Sequence, residues 1–189
     1  MKLIRTLVAA SALGLSLAAA AQNTAQNTAQ NTVKVGVILP LSGGAGPQGQ
    51  HVTNAIHVMA AMINDAGGVL GRKIEIVSRD DESTPAVGVS RATELVSASV
   101  AVVIEGWNRP VTLAMQPVLS RAGLLDITAI SKADAILSGK GNPLAVRSNS
   151  SDSQHGAAIG NYIANIAKAK RIAFLSQNDA CGNGAQASN

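Results

Sequence analysis

Aromatic side chains are nearly absent from this chain: Trp107, Tyr162 and Phe174 are the only three in 189 residues. Base-stacking platforms for single-stranded nucleic acid need more than that, and the core must be built from Ala, Val, Ile and Leu. Cysteine is as scarce. Cys181 stands alone, so no intramolecular disulfide can form even in an oxidising compartment. No Lys, Arg or His lies close enough in sequence to activate it, and it reads as an incidental thiol. Metal ligation and catalysis lack their raw material. His51, His57 and His155 show no metal-ligand spacing, and His51 and His57 share no helix face. Ser42-Gly43-Gly44 lacks the strand-Ser-helix elbow of hydrolases. No catalytic set and no cofactor are expected.

An excess of one charge is missing too. The formal net charge is +4, from 15 basic and 11 acidic residues. Without Lys2 and Arg5 the balance is 13 against 11, or +2. The basic residues are scattered, which argues against a nucleic-acid partner.

Lys2 and Arg5 belong to the N-terminal segment. They precede an apolar run, Thr6 to Ala18, too short to span a bilayer. Ala19-Ala20-Ala21 supplies small residues for cleavage, placed between Ala21 and Gln22. Residues 1–21 therefore read as a secretory signal peptide, with an exported product and no stable membrane insertion after its removal. The tetrapeptide AQNT then occurs three times over residues 21–32. It has no apolar face, so residues 22–32 read as a disordered spacer.

Beyond the spacer, strand and helix signals alternate. Val33 to Leu39 is an apolar, β-branched strand, followed by a Gly-rich loop from Ser42 to Gly49. A helix is expected from about Gln50 to Ala66, with Val52, Ala55, Ile56, Met59 and Ile63 on one stripe. Gly67-Gly68 should end it, and a tight turn through Val69 to Arg72 leads into the alternating strand Lys73 to Val77. Helices are expected at Pro85 to Ser99 and from Pro110 to near Gly123, with strands at Val100 to Ile104 and Leu124 to Thr128. A short helix at Ala133 to Leu137 precedes a crossover through Pro143 to Ser148. A helix capped by Asp152 or Ser153 should run to about Lys168, and Arg171 to Ser176 should be a fifth strand. This order implies an α/β fold with a parallel sheet flanked by helices.

Two loop motifs carry competing readings. Gly44 to Gly49 matches GxGxxG, the dinucleotide fingerprint. However, Pro40-Leu41-Ser42 separates it from the strand end, and no acidic residue stands about twenty positions on. Asp80-Asp81, with Asp126 and Lys132, has the outline of a phosphoryl-accepting pocket, although loop acids that hydrogen-bond turns are the simpler account.

The segments PLSGGAGPQGQ at Pro40 to Gln50 and INDAGGVLGRKIEIVSRDDEST from Ile63 resemble the opening of periplasmic substrate-binding proteins of ABC importers. The resemblance is to the branched-chain amino-acid (Leu/Ile/Val) receptor family of the type I binding-protein fold, and runs from Val33 to about Gly184. It implies two lobes facing each other across a cleft, with 33–147 as lobe one and 148–189 as the beginning of lobe two. Such a chain would be roughly twice this length, as two ordinary lobes require. The fragment is then truncated, and poor stability is expected of it alone.

The resemblance also implies a site. The Gly-rich loop would line the cleft, with Gln48 where an aromatic often stands. Trp107-Asn108-Arg109 would bind a ligand carboxylate at the start of the helix that Asn108 caps and Pro110 enters. Arg109 either pairs that carboxylate through both nitrogens, or points to solvent or pairs with a surface acid. Ile130 and Ser131 would grip the ligand's ammonium, while Lys132 hints at an acidic ligand instead. Cys181 would cover the ligand. Some relatives bridge the positions of Ser83 and Asn108 with a disulfide, which this chain cannot form. The implied function is capture of an amino acid or related small carboxylate for an inner-membrane ABC permease. A sensory or regulatory ligand-binding module of the same fold is the alternative, and no enzyme is expected.

Overall fold

The computed structural model describes residues 31–139, 141–173 and 175. Five strands form one parallel sheet: β1 (Thr32–Leu39), β2 (Lys73–Asp80), β3 (Val102–Glu105), β4 (Leu125–Thr128) and β5 (Ala145–Arg147). Their spatial order is β2-β1-β3-β4-β5. Four helices accompany them: α1 (Gly46–Asp65), α2 (Pro85–Ser97), α3 (Arg109–Arg121) and α4 (Asp152–Asn161). A 3₁₀ turn, Asp134–Leu137, joins β4 to β5, and a π turn, Tyr162–Ala167, continues α4.

The connection from α1 to β2 follows its glycines. Gly67 and Gly68 take φ of 107° and 80°, and the Gly68 N–H returns to the Ile63 carbonyl at 2.8 Å, closing the helix end. Val69 and Arg72 then exchange backbone hydrogen bonds across Leu70 and Gly71, both with positive φ. That is the hairpin-type turn that brings Lys73 into register with Thr32.

Alternation along the strands divides the apolar residues between two faces. One face meets α2 and α3. There Ile38, Leu95, Val103, Val111, Met115 and Leu119 are all essentially inaccessible to solvent. Gly36 and Gly88 permit this close approach. A Cβ on Gly36 would stand 2.6 Å from Leu95 Cδ1, and one on Gly88 2.6 Å from Val111 Cγ1. Among the described residues the other face meets only α1. An apolar cavity of about 310 Å³ lies there, bounded by Val35, Ile74, Ile76 and Ile104 of the sheet and by Ile56 and Met59 of the helix.

Several boundaries depart from the sequence expectations. Helix α1 starts at Gly46, not Gln50, because Pro47 sits in its first turn, where a missing N–H costs nothing. The Pro143–Ser148 crossover contains a strand, since Ala145–Arg147 pairs with Asp126–Thr128. Ser151 caps α4, in place of Asp152 or Ser153. Its Oγ accepts from Gln154 N while the Gln154 side chain accepts from Ser151 N, a capping box. The expected strand at Arg171–Ser176 is not formed over Arg171–Ala173 and Leu175, where no described neighbour offers a ladder. Phe174 and Ser176 lie outside the described residues, as do the signal segment and nearly all of the AQNT spacer.

Candidate functional site

In a parallel sheet of this order, β1 and β3 are neighbours whose connections leave in opposite directions. The carboxyl ends of the strands at that switch point are where open α/β sheets hold ligands. Four loops meet along this edge: residues 40–45 after β1, 106–108 after β3, 129–133 after β4 and 148–151 after β5.

The loops are tied to one another through their backbones. Ala129 N–H donates to the Glu105 carbonyl at 2.8 Å, and Ile130 and Ser131 N–H both donate to the Gly106 carbonyl, at 3.1 and 2.6 Å. Gly106 has φ of 104°, and a Cβ there would lie 2.1 Å from Thr128 Oγ1, so only glycine fits. The Asn149 side chain donates to the Ile130 carbonyl at 3.2 Å, and Arg147 donates to the carbonyls of Lys132 and Ala133 at 3.1 and 3.0 Å. Leu41 N–H donates to Asp80 at 2.8 Å. Burial opposes ionisation of Asp80, but hydrogen bonds from Ser42 and from the Glu82 and Leu41 N–H groups outweigh it and hold the carboxyl below its ordinary range. Asp81 is almost fully buried and accepts from Ser83 N–H at 2.7 Å, yet burial pushes it up. Both acids therefore serve turns.

Of the residues singled out by sequence, Trp107, Asn108, Arg109, Ile130, Ser131 and Lys132 come together on the β3 and β4 loops. Asn108 occupies the N-cap position of α3, but its side chain makes no capping hydrogen bond. Gln48 is exposed in the first turn of α1, at the same end of the sheet. Cys181 lies outside the described residues.

Arg109 has an acid partner within the chain. Its guanidinium meets both carboxylate oxygens of Asp152 through Nε and Nη2, with Nε at 3.0 Å. The acid partner lies 43 residues away on α4 and both side chains are largely buried, so the pair ties the β3 loop to the segment beyond β5. Lys132 meets His155 of α4, its Nζ lying 3.0 Å from Nδ1 and 3.2 Å from Nε2.

Beneath the loops lies a group of buried acids to which the sequence reading assigned no such role. Glu105 and Asp126 sit on β3 and β4 with no solvent exposure. Glu105 accepts from Thr112 Oγ1 at 2.7 Å, and Asp126 accepts from the Gln116 amide. Oε1 of Glu105 and Oδ1 of Asp126 have no hydrogen-bond partner among the described residues. Burial pushes Asp126 up to about 7. Burial, then the adjacent Asp126 charge, pushes Glu105 well above the carboxylate range, against the Thr112 hydrogen bond. The signal was legible: Glu105 closes the apolar run Val102–Ile104, and Asp126 stands between Leu125 and Ile127. Among the described residues no three His, Cys, Asp or Glu side chains cluster as a metal site, and no helix is long and apolar enough to cross a membrane.

An open parallel sheet with tied loops at its switch point is an α/β architecture whose carboxyl edge is where such sheets hold ligands. The comparison with known families is specific: residues 32–188 match the family model described as periplasmic binding protein, and the chain belongs to that family. Among curated relatives, a Leu/Ile/Val-binding protein homolog 3 of Brucella melitensis is 28% identical over 184 residues, 97% of this chain and 47% of the relative. Among solved structures, the branched-chain amino-acid transporter substrate-binding protein LivJ of Streptococcus pneumoniae, in complex with isoleucine, superposes with a TM-score of 0.77. It is 26% identical, over 83% of this chain and 45% of that one. A solute-binding protein of an ABC transporter from Rhodopseudomonas palustris, in complex with 3,4-dihydroxybenzoic acid, gives 0.74 at 31% identity, over 84% of this chain and 42% of that one. The chain thus spans just under half the length of the relatives it matches.

Proposed function

We propose that this sequence forms lobe one, residues 33–147, and the beginning of lobe two, residues 148–189, of a periplasmic solute-binding protein. The protein captures an amino acid or related small carboxylate and presents it to an inner-membrane ABC permease. Export proceeds through residues 1–21 as a cleavable signal peptide. Binding takes place without turnover.

The observation that carries this reading is the loop edge at the β1/β3 switch point. There the start of α3, at Asn108–Arg109, directs its dipole toward the space above the sheet, where an anion is favoured by about 0.3–2 kcal/mol. The names of the relatives point the same way: one solved structure holds isoleucine and another an aromatic acid. The proposed ligand contacts are Gln48, Trp107, Asn108, Ile130, Ser131, Lys132 and Cys181, with Arg109 acting through its pair with Asp152. Isothermal titration of the full-length gene product against amino acids and small carboxylic acids tests the reading. Saturable binding of at least one of them is expected. No heat from any of them at millimolar concentration would remove it.

A further inference from the structure

The contact between Lys132 and His155 has an unusual chemical balance. Lys132 stands at the carboxyl end of β4, and His155 is the fourth residue of α4, beyond the crossover. The ammonium carries three donors, and the imidazole offers it only one acceptor at a time. Among the described residues no carboxylate forms an ion pair with Lys132.

The nearby acids are already engaged. Asp152 receives the fork of Arg109. Asp134 receives the N–H and hydroxyl of Ser153 at 3.1 and 3.0 Å. The first-turn amides of α4 are engaged as well. Asp152 N–H donates to the Lys132 carbonyl, Ser153 N–H to Asp134, Gln154 N–H to Ser151 Oγ and His155 N–H to the Ser151 carbonyl. At the accessible edge of the site surplus donor capacity rests on Lys132 and His155, both at least partly exposed, while Ser131 Oγ and Arg147 Nε, buried beside them, also lack a partner among the described residues.

An anion placed between Lys132 and His155 would satisfy the ammonium and turn the imidazole from acceptor to donor. A ligand ammonium at the same place would face a like charge. We infer that Lys132 and His155 together hold an anionic group of the ligand, so that the site takes small carboxylic acids lacking an ammonium there in preference to α-amino acids. This rests on the solute-binding reading above and names the ligand class within it.

The test is isothermal titration of the full-length gene product with leucine, 4-hydroxybenzoate and succinate, repeated on Lys132→Ala, Lys132→Arg and His155→Gln. At least one of the two acids is expected to bind about tenfold or more tighter than leucine, and Lys132→Ala to lose about tenfold or more of that affinity, with Lys132→Arg retaining most of it. His155→Gln should weaken the acid by about threefold or more. The Lys132 substitutions alter only a partly exposed side chain and keep the backbone carbonyl that Asp152 and Arg147 use, and circular dichroism confirms that each variant is folded. Leucine binding more tightly than both acids overturns the inference alone. So does acid affinity that stays within about twofold in Lys132→Ala. Absence of binding by all three probes overturns the inference and weakens the solute-binding reading with it.

Discussion

The two faces of the sheet are built to different standards. Against α2 and α3 the sheet buries Ile38 and Val103 completely, and the helices answer with Leu95, Met115 and Leu119, equally buried. Against α1 the fit is loose. A cavity of about 310 Å³ remains, and Val58, Met59 and Met62 of the helix stay more than half exposed. Farther along the same face Leu125 of β4 and Val146 of β5 are 40% and 50% exposed. Parallel sheets are covered on both sides because their strands are apolar throughout. Two helices pack on one face and one on the other, in a chain that spans under half of its relatives. The closed face shows what a finished layer looks like, and the open face shows what the described segment leaves uncovered.

The sharpest way to break this contrast is to cut the closed face. Leu119→Ala or Leu95→Ala should cost about 2–5 kcal/mol, read as a lowered urea midpoint, because neither site can collapse around the void. The next effect comes from the acids sealed under the same face. Asp126 is pushed from 3.8 to about 7, so between those values the folded chain holds a proton that the unfolded chain has lost. Its contribution is fully present below about pH 4, declines as pH rises toward 7, and leaves a constant penalty above that. Thermal melts should therefore fall across this window. Asp126→Asn, which keeps an acceptor for Gln116, should flatten the profile and raise the melting temperature at pH 8. A variant that melts lower than the parent at pH 8 would show that the charged carboxylate is stabilising. Gly36→Ala ranks third. Its Cβ would press on Leu95, and overpacking of this kind costs about 1–3 kcal/mol. The smallest effect belongs to the open face, where Leu125→Thr or Val146→Thr should change stability by under about 0.5 kcal/mol. A loss comparable to that of Leu119→Ala would mean that something covers this face in solution.

What the sequence disclosed follows from what is local. The alternation of strands and helices, the Gly67-Gly68 stop and the turn at Val69–Arg72 are written in a few adjacent residues each. Loop position was legible for the same reason, since strand ends locate Trp107–Arg109 and Ile130–Lys132 without knowledge of packing. Features set by distant partners were not. The pairing of Arg109 with Asp152, 43 residues on, has no local signal. Asp152 looked like a helix cap because the chemistry of Asp and Ser at such positions is alike, and the capping box at Ser151 and Gln154 decides between them. Strand β5 has only three residues and no pattern to betray it, whereas Arg171–Ala173 has strand composition but no described strand beside it.

The scarcity of aromatic residues, first a limit on what the core can contain, also gives the molecule a built-in reporter. Trp107 is the sole tryptophan, half-buried in the loop that leaves β3 for α3. Within these 189 residues, fluorescence excited at the red edge of protein absorption therefore comes from one place only, the edge of the proposed ligand site. In this segment a change in its colour or quenching on adding a solute is a signal from that loop, with no label to attach.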